Sequence, residues 1–147
     1  MNKTGKILAI SVSTKKGVSK TNVNSANMIE NHGIDGDVHA GNWHRQISLL
    51  SLESIEKMRL AGLPELNPGD FAENITTDLQ NLNQIQIGTK LKLGKDSMIE
   101  ITQIGKTCHS RCAIYDTVGD CIMPREGIFA KVLISGRIEI NDSIEIL

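Results

Sequence analysis

The sequence predicts a mainly β protein, a barrel or sandwich with a few short helices, and three observations predict it. Two segments share one grammar, Ile85 to Leu93 and Ile138 to Ile146, each alternating apolar and polar residues about a short turn. That period of two is the strand period, and two such hairpin-like segments suggest corners of a β-rich fold. Further Ile- and Val-rich runs recur between Gly, Asn and Pro turn signals, and long amphipathic windows of helical period are scarce.

Taken in order, Lys6 to Ser13 alternates and is rich in Ile and Val, a first strand. Thr14 to Lys20 is a Lys-Lys-Gly loop, and Val23 to Ile34 closes on the turn signal Asn31-His32-Gly33. Ile47 to Leu50 reads as a buried strand. Ser51 then caps a short helix, with Glu53 and Glu56 near its start, Leu52, Ile55 and Met58 on one side and Gly62 at its end. Pro64 to Asp70 is a loop around a strong Asn67-Pro68-Gly69-Asp70 turn, and Phe71 to Thr77 is expected as a strand. Ile85 to Leu93 is expected as two short runs about a Gly88-Thr89 turn. Met98 to Ile104 and Ile128 to Ile134 are further strands, so the segment between them leaves one strand and returns through another.

The chain of 147 residues fits one domain, residues 1–147, with enough length to bury a core without disulfides or metal. Sixteen basic against seventeen acidic residues give no global pull toward nucleic acid or a membrane surface, so any anion site must be local. The apolar run Ile7 to Ile10 is too short for a signal segment, and no stretch reaches the ~18 apolar residues of a spanning helix. A cytoplasmic location is expected.

All three cysteines fall within residues 105–129: Cys108, Cys112 and Cys121, interleaved with Lys106, His109, Arg111 and Arg125. An odd count speaks against a disulfide framework. A thiol acts as nucleophile or soft ligand only as thiolate, and neighbouring cations favour that form. Cys112, directly after Arg111 and near Lys106 and His109, suits a working thiol best; Cys121, beside Ile122 and Met123, suits a structural one. A zinc site from the three cysteines and a histidine lacks the paired ligand spacing of zinc knuckles, so no structural zinc is expected. A second cluster, Asp35-x-Asp37-x-His39 followed by His44 and Arg45, lacks the oxygen ligands of a hard-metal site. There the aspartates are expected to make turn hydrogen bonds, while His39, His44 and Arg45 face a cleft that receives phosphate or oxyanion, with Lys15, Lys16 and Lys20 next in line.

These motifs carry a resemblance. Gly36-Asp37-x-His39-Ala40-Gly41 with His44-Arg45-Gln46, then Pro68 to Asn74, then Gly105-Lys106-x-Cys108-His109 and Arg111-Cys112, resemble the MOSC domain, named for the C-terminal domain of molybdenum cofactor sulfurase. The match runs in order over nearly the whole chain, without the aminotransferase-like part or the N-terminal barrel domain of larger relatives.

The resemblance implies a β-barrel similar to the barrel domain of pyruvate kinase. It implies a hallmark cysteine that carries persulfide sulfur from a pyridoxal-phosphate-dependent cysteine desulfurase or, in amidoxime-reducing relatives, ligates the molybdenum of the pterin cofactor. Cys112 stands at the matching position, and Cys108, four residues upstream, is the alternative. His39, His44, Arg45, Lys106, His109 and Arg111 are the expected cofactor-binding residues. The implied function is a sulfur-carrier or sulfurtransferase protein handling a molybdenum (or tungsten) pterin cofactor. Its partners would be the desulfurase and either cofactor-biosynthesis proteins or an acceptor molybdoenzyme. The alternatives are a small molybdenum-dependent oxidoreductase of the amidoxime-reducing type and a non-catalytic storage or delivery module.

Overall fold

A computed structural model of the chain describes residues 3–106 and 121–147. The described chain is mainly β, with a barrel closed by seven strands. In chain order the strands are β1 (Thr4–Val12), β2 (Thr21–Val23), β3 (Ser25–Ile29), β4 (Gly33–Ile34), β5 (Ile47–Ser51), β6 (Ile75–Thr77), β7 (Lys90–Leu93), β8 (Ser97–Ile104), β9 (Ile128–Ile134), β10 (Gly136–Glu139) and β11 (Ser143–Ile146). Among the described residues the regular α-helices are α1 (Leu52–Leu60) and α2 (Met123–Glu126). None is long and apolar enough to cross a membrane.

The barrel runs β11-β7-β8-β9-β5-β6-β1 and closes where β1 meets β11, pairing Thr4 with Glu145 and Lys6 with Ser143. Closure rests on the length of β1. Its first half pairs β11, and a register shift between Ile7 and Ala9 lets its second half pair β6 and β2. Closing the sheet removes its free edges. Among the described residues β5 and β6 are the parallel pair, and the crossover that such pairing needs passes through α1. A smaller sheet, β10-β3-β4, flanks the barrel.

Side chains divide between two cores. Ile7, Ile47, Leu49, Ile75, Leu91, Ile99, Ile101, Ile128, Val132 and Ile144 belong to the larger cluster. Leu50, Ile55, Met58, Leu66, Phe71, Met123 and Phe129 form a second one that includes the inner side of α1. β5 is buried along its whole length because its alternate residues enter different cores, Leu49 one and Leu50 the other. α1 starts where its sequence signals put it: the Ser51 hydroxyl accepts from the Ser54 N–H at 3.1 Å, with Glu53 in the first turn and Lys57 and Arg59 in the last.

Two expected elements differ. Of Phe71 to Thr77 only Ile75–Thr77 is strand, because Ala72 takes a left-handed φ of 66° and the Glu73 carboxylate engages the Phe71 N–H at 3.2 Å instead of a neighbouring strand. The two hairpin-like segments are not hairpins. Ile85 to Ile87 follows a 3-10 turn at Leu82–Gln84 and is not strand, while β7 pairs β8 and β11. β10 and β11 diverge at Asn141 (φ 75°), one into the small sheet and the other into the barrel. The C-terminal segment does therefore form a corner between sheets.

Candidate functional site

The loop after β4 folds about Asp37. Its Oδ1 accepts from the Ser13 N–H at 3.0 Å and from Lys20 Nζ at 2.8 Å, and its Oδ2 accepts from the His39 N–H at 3.2 Å. The side chains of Lys20 and Asp37 are wholly buried, and His39 retains 28% exposure. Lys20 Nζ also reaches Ser13 Oγ at 3.2 Å and His39 Nδ1 at 2.9 Å. Burial works to raise the Asp37 carboxyl, but nearby His39, the Lys20 ammonium and the Ser13 N–H overcome it and hold it well below the usual carboxylate range. Burial lowers the Lys20 ammonium from its ordinary value, opposed by Asp37 and Glu73.

Pro68 to Asn74 forms the floor beneath Lys20. Gly69, at φ 94°, accepts the Lys20 N–H at 2.8 Å, and a Cβ there would lie 2.7 Å from the Lys20 carbonyl, so close an approach requires glycine. Asn74 ties the loop to two strands: its Oδ1 accepts from the Ser48 N–H at 3.0 Å and its Nδ2 donates to the Ser11 carbonyl at 3.0 Å. Glu73 is fully buried. Burial pushes its carboxyl up to about 7, against backbone amides of Gly69, Glu73 and Phe71 that hold it down, with Asp70 adding to the rise.

His44 and Arg45 form the second half of the site. The Arg45 guanidinium lies 4.7 Å from the centre of the Trp43 ring and 5.6 Å from that of Phe129, the second residue of β9. Its Nε is buried and has no hydrogen-bond partner among the described residues. Trp43 in turn donates its indole N–H to the His39 carbonyl at 2.7 Å, joining the two halves. His44 Nε2 meets Gln103 Oε1 at 2.7 Å, and the Gln103 amide donates to the Gly105 carbonyl at 2.8 Å. The Thr102 hydroxyl also donates to the His44 carbonyl. Gly105 (φ 69°) is pinned to α2, its N–H on the Gly127 carbonyl at 2.7 Å, and half-buried Lys106 follows with its N–H on the Pro124 carbonyl at 3.2 Å. The loop carrying His44 and Arg45 is thereby fastened to both stems of the cysteine stretch, β8 on one side and β9 on the other.

Of the residues singled out in the sequence, His39, His44, Arg45 and Lys106 have these positions, and Cys121 is half-buried against the second core. Cys108, His109, Arg111 and Cys112 lie outside the described residues. The turn role expected of the aspartates holds for Asp37; Asp35 is exposed. Among the described residues no group of three His, Cys, Asp or Glu can hold a metal ion. Trp43, Glu73, Gln103 and Phe129 belong to the arrangement without a role having been read from the sequence, and Lys20, expected next in line for the anion, is instead buried against Asp37. The nearest signal was the turn and glycine at Pro68-Gly69, which marks close backbone approach without naming the lysine above it.

Chemically, the arrangement offers donors far more than acceptors: an arginine whose Nε has no acceptor, a lysine at the stem and imidazole edges. It suits an anion with several oxygens.

Residues 35–145 match the family described as the MOSC domain. Among solved structures, the chain is similar to the YuaD protein from Bacillus subtilis, at 18% identity over 97% of this chain and 95% of that one, with a TM-score of 0.83. It is also similar to YiiM from Geobacillus stearothermophilus (19% identity, 97% and 75% covered, TM-score 0.73) and YiiM from Escherichia coli (14%, 97% and 69%, TM-score 0.69). At these identities the likeness is one of fold. No curated protein matches the chain.

Proposed function

The chain belongs to the MOSC domain family, which is associated with molybdenum cofactor binding or sulfur transfer, and on that premise we propose that it binds a molybdenum or tungsten pterin cofactor and carries sulfur on Cys112. The observation that supports this best is the placement of Arg45. Within cation–π range of both Trp43 and Phe129, and with a buried Nε that has no partner among the described residues, it stands where the basic loop meets both stems of the segment that bears Cys108 and Cys112. A buried donor without an acceptor is costly, and an anionic oxygen relieves it. The residues present therefore fit the phosphorylated pterin.

Arg45 and Lys106, with His39 and His44 beside them, would hold the phosphate oxygens; His109 and Arg111 complete the set. The bound group supplies a soft, redox-active metal, for which a thiolate is a suitable ligand. For sulfur transfer, the Cys112 thiolate attacks the terminal sulfur of the desulfurase persulfide. The new S–S bond forms as the old one breaks, the desulfurase cysteine leaves as thiolate, and Cys112 holds the persulfide without any outside oxidant.

Equilibrium binding of isolated pterin cofactor tests the anion half. Arg45→Ala should weaken it by about 1 to 3 kcal/mol, one charged hydrogen bond. Unchanged affinity in both Arg45→Ala and Arg111→Ala would move the phosphate away from this loop.

A further inference from the structure

We infer that Lys20 is a positioning residue that fixes His39 as the Nε2–H tautomer, so that His39 meets a ligand oxygen as a hydrogen-bond donor and not as a metal ligand. The ligand half of this inference rests on the anion-binding reading above; the tautomer half does not. An ammonium can only donate. Lys20 Nζ has three neighbours in range: Asp37 Oδ1 at 2.8 Å, His39 Nδ1 at 2.9 Å and Ser13 Oγ at 3.2 Å. Ser13 Oγ spends its own proton on the Lys15 carbonyl at 3.0 Å, so toward Lys20 it accepts. Each ammonium proton thus has one acceptor, and His39 Nδ1 is among them.

With Nδ1 accepting, the proton of the neutral ring lies on Nε2. Nδ1 also faces Asp37 Oδ2, but at 3.8 Å, beyond hydrogen-bond range. The other neighbours hold the ring's backbone in place, with the His39 N–H on Asp37 and its carbonyl accepting from Trp43. Since Lys20 and Asp37 are wholly buried and His39 is 28% exposed, the His39 ring is, of these three, the side chain that a ligand can reach. Coordination of a metal through Nε2 would shift the proton onto Nδ1, against the ammonium.

The test is two-bond ¹H–¹⁵N correlation of the ligand-free protein labelled with ¹⁵N-histidine, with the His39 signals assigned through His39→Gln. The expected pattern is a pyrrole-type Nε2 and a pyridine-type Nδ1; the reverse overturns the inference, whatever the variants do. In Lys20→Met the proton should move to Nδ1, toward Asp37. Should that variant not fold, the wild-type pattern alone decides the tautomer.

Titration with inorganic phosphate then reads the donor role. The His39 Nε2 proton should shift, and Lys20→Met should bind phosphate roughly tenfold more weakly, the worth of one charged hydrogen bond. Phosphate that perturbs Arg45 but leaves His39 unmoved would overturn the donor role while the anion reading stands. No phosphate binding in the wild type would overturn the anion reading and the donor role together, leaving only the tautomer.

Discussion

Replacing Glu73 with Gln should stabilise the protein at alkaline pH and leave it nearly unchanged in mild acid. Glu73 is fully buried, and its carboxyl is pushed from an ordinary 4.5 up to about 7, chiefly by burial. Between those two values the folded state binds more protons than the unfolded chain, so stability falls as pH rises through that window and levels off above about 7. At about 1.4 kcal/mol for each pH unit, the interval from 4.5 to about 7 amounts to roughly 3 kcal/mol lost above pH 7. Glutamine keeps the acceptor for the Phe71 N–H and a partner for the Thr76 hydroxyl, but carries no charge to bury. Lys20 also loses a favourable neighbour, which makes ~3 kcal/mol the upper end of the gain. Urea unfolding of both proteins at about pH 5 and about pH 8 should show the variant ahead by ~2 to 3 kcal/mol at the higher pH and near parity at the lower. Parallel pH profiles, or a variant weaker at both, would refute the buried-carboxylate reasoning.

Other substitutions probe the same neighbourhood. Asp37→Ala strands the buried Lys20 ammonium and should cost about 3 to 5 kcal/mol in chemical denaturation, with much of it recovered in Asp37→Ala combined with Lys20→Met. Gly69→Ala places a Cβ 2.7 Å from the Lys20 carbonyl at a φ of 94°, and should cost about 2 kcal/mol or more by the same measurement. Among the thiols, alkylation at neutral pH should label Cys112 first, Cys108 second and Cys121 last, as peptide mass spectrometry would report.

The parts of the fold legible in the sequence were those with local causes. Ser51 announced α1 because capping is a contact between residues three apart, and Ile128 to Ile134 announced β9 through β-branched apolar residues. Pairing was not legible. Ile85–Leu93 and Ile138–Ile146 alternate like hairpins, yet alternation says only which face is buried, and β11 finds its partners at Thr4–Lys6 and Leu91–Leu93. Phe71 looked like strand because the hydrogen bond that bends its segment is accepted by the Glu73 carboxylate, whose burial depends on the whole loop.

The same distinction runs through the site. His39, His44 and Arg45 were readable as a glycine-spaced polar cluster beside strands. The place of Lys20 was not, since beside Lys15 and Lys16 it reads as one more solvent-facing candidate for an anion; only the fold brings Asp37 and His39 to it and seals it from water. Trp43 and Phe129 stand far apart in sequence, and their shared hold on Arg45 exists only once β9 returns beside the loop.

The central claim is that Cys112 is the working thiol of a cofactor-handling MOSC domain. Its most direct test is intact and peptide mass spectrometry after incubation with a pyridoxal-phosphate-dependent cysteine desulfurase and cysteine. One added sulfur on Cys112, retained in Cys121→Ser and lost in Cys112→Ser with the fold intact, is the predicted result, because a hydroxyl cannot carry persulfide. Loss in Cys108→Ser alone would move the thiol four residues upstream; normal loading of the Cys112→Ser and Cys108→Ser proteins would contradict the claim.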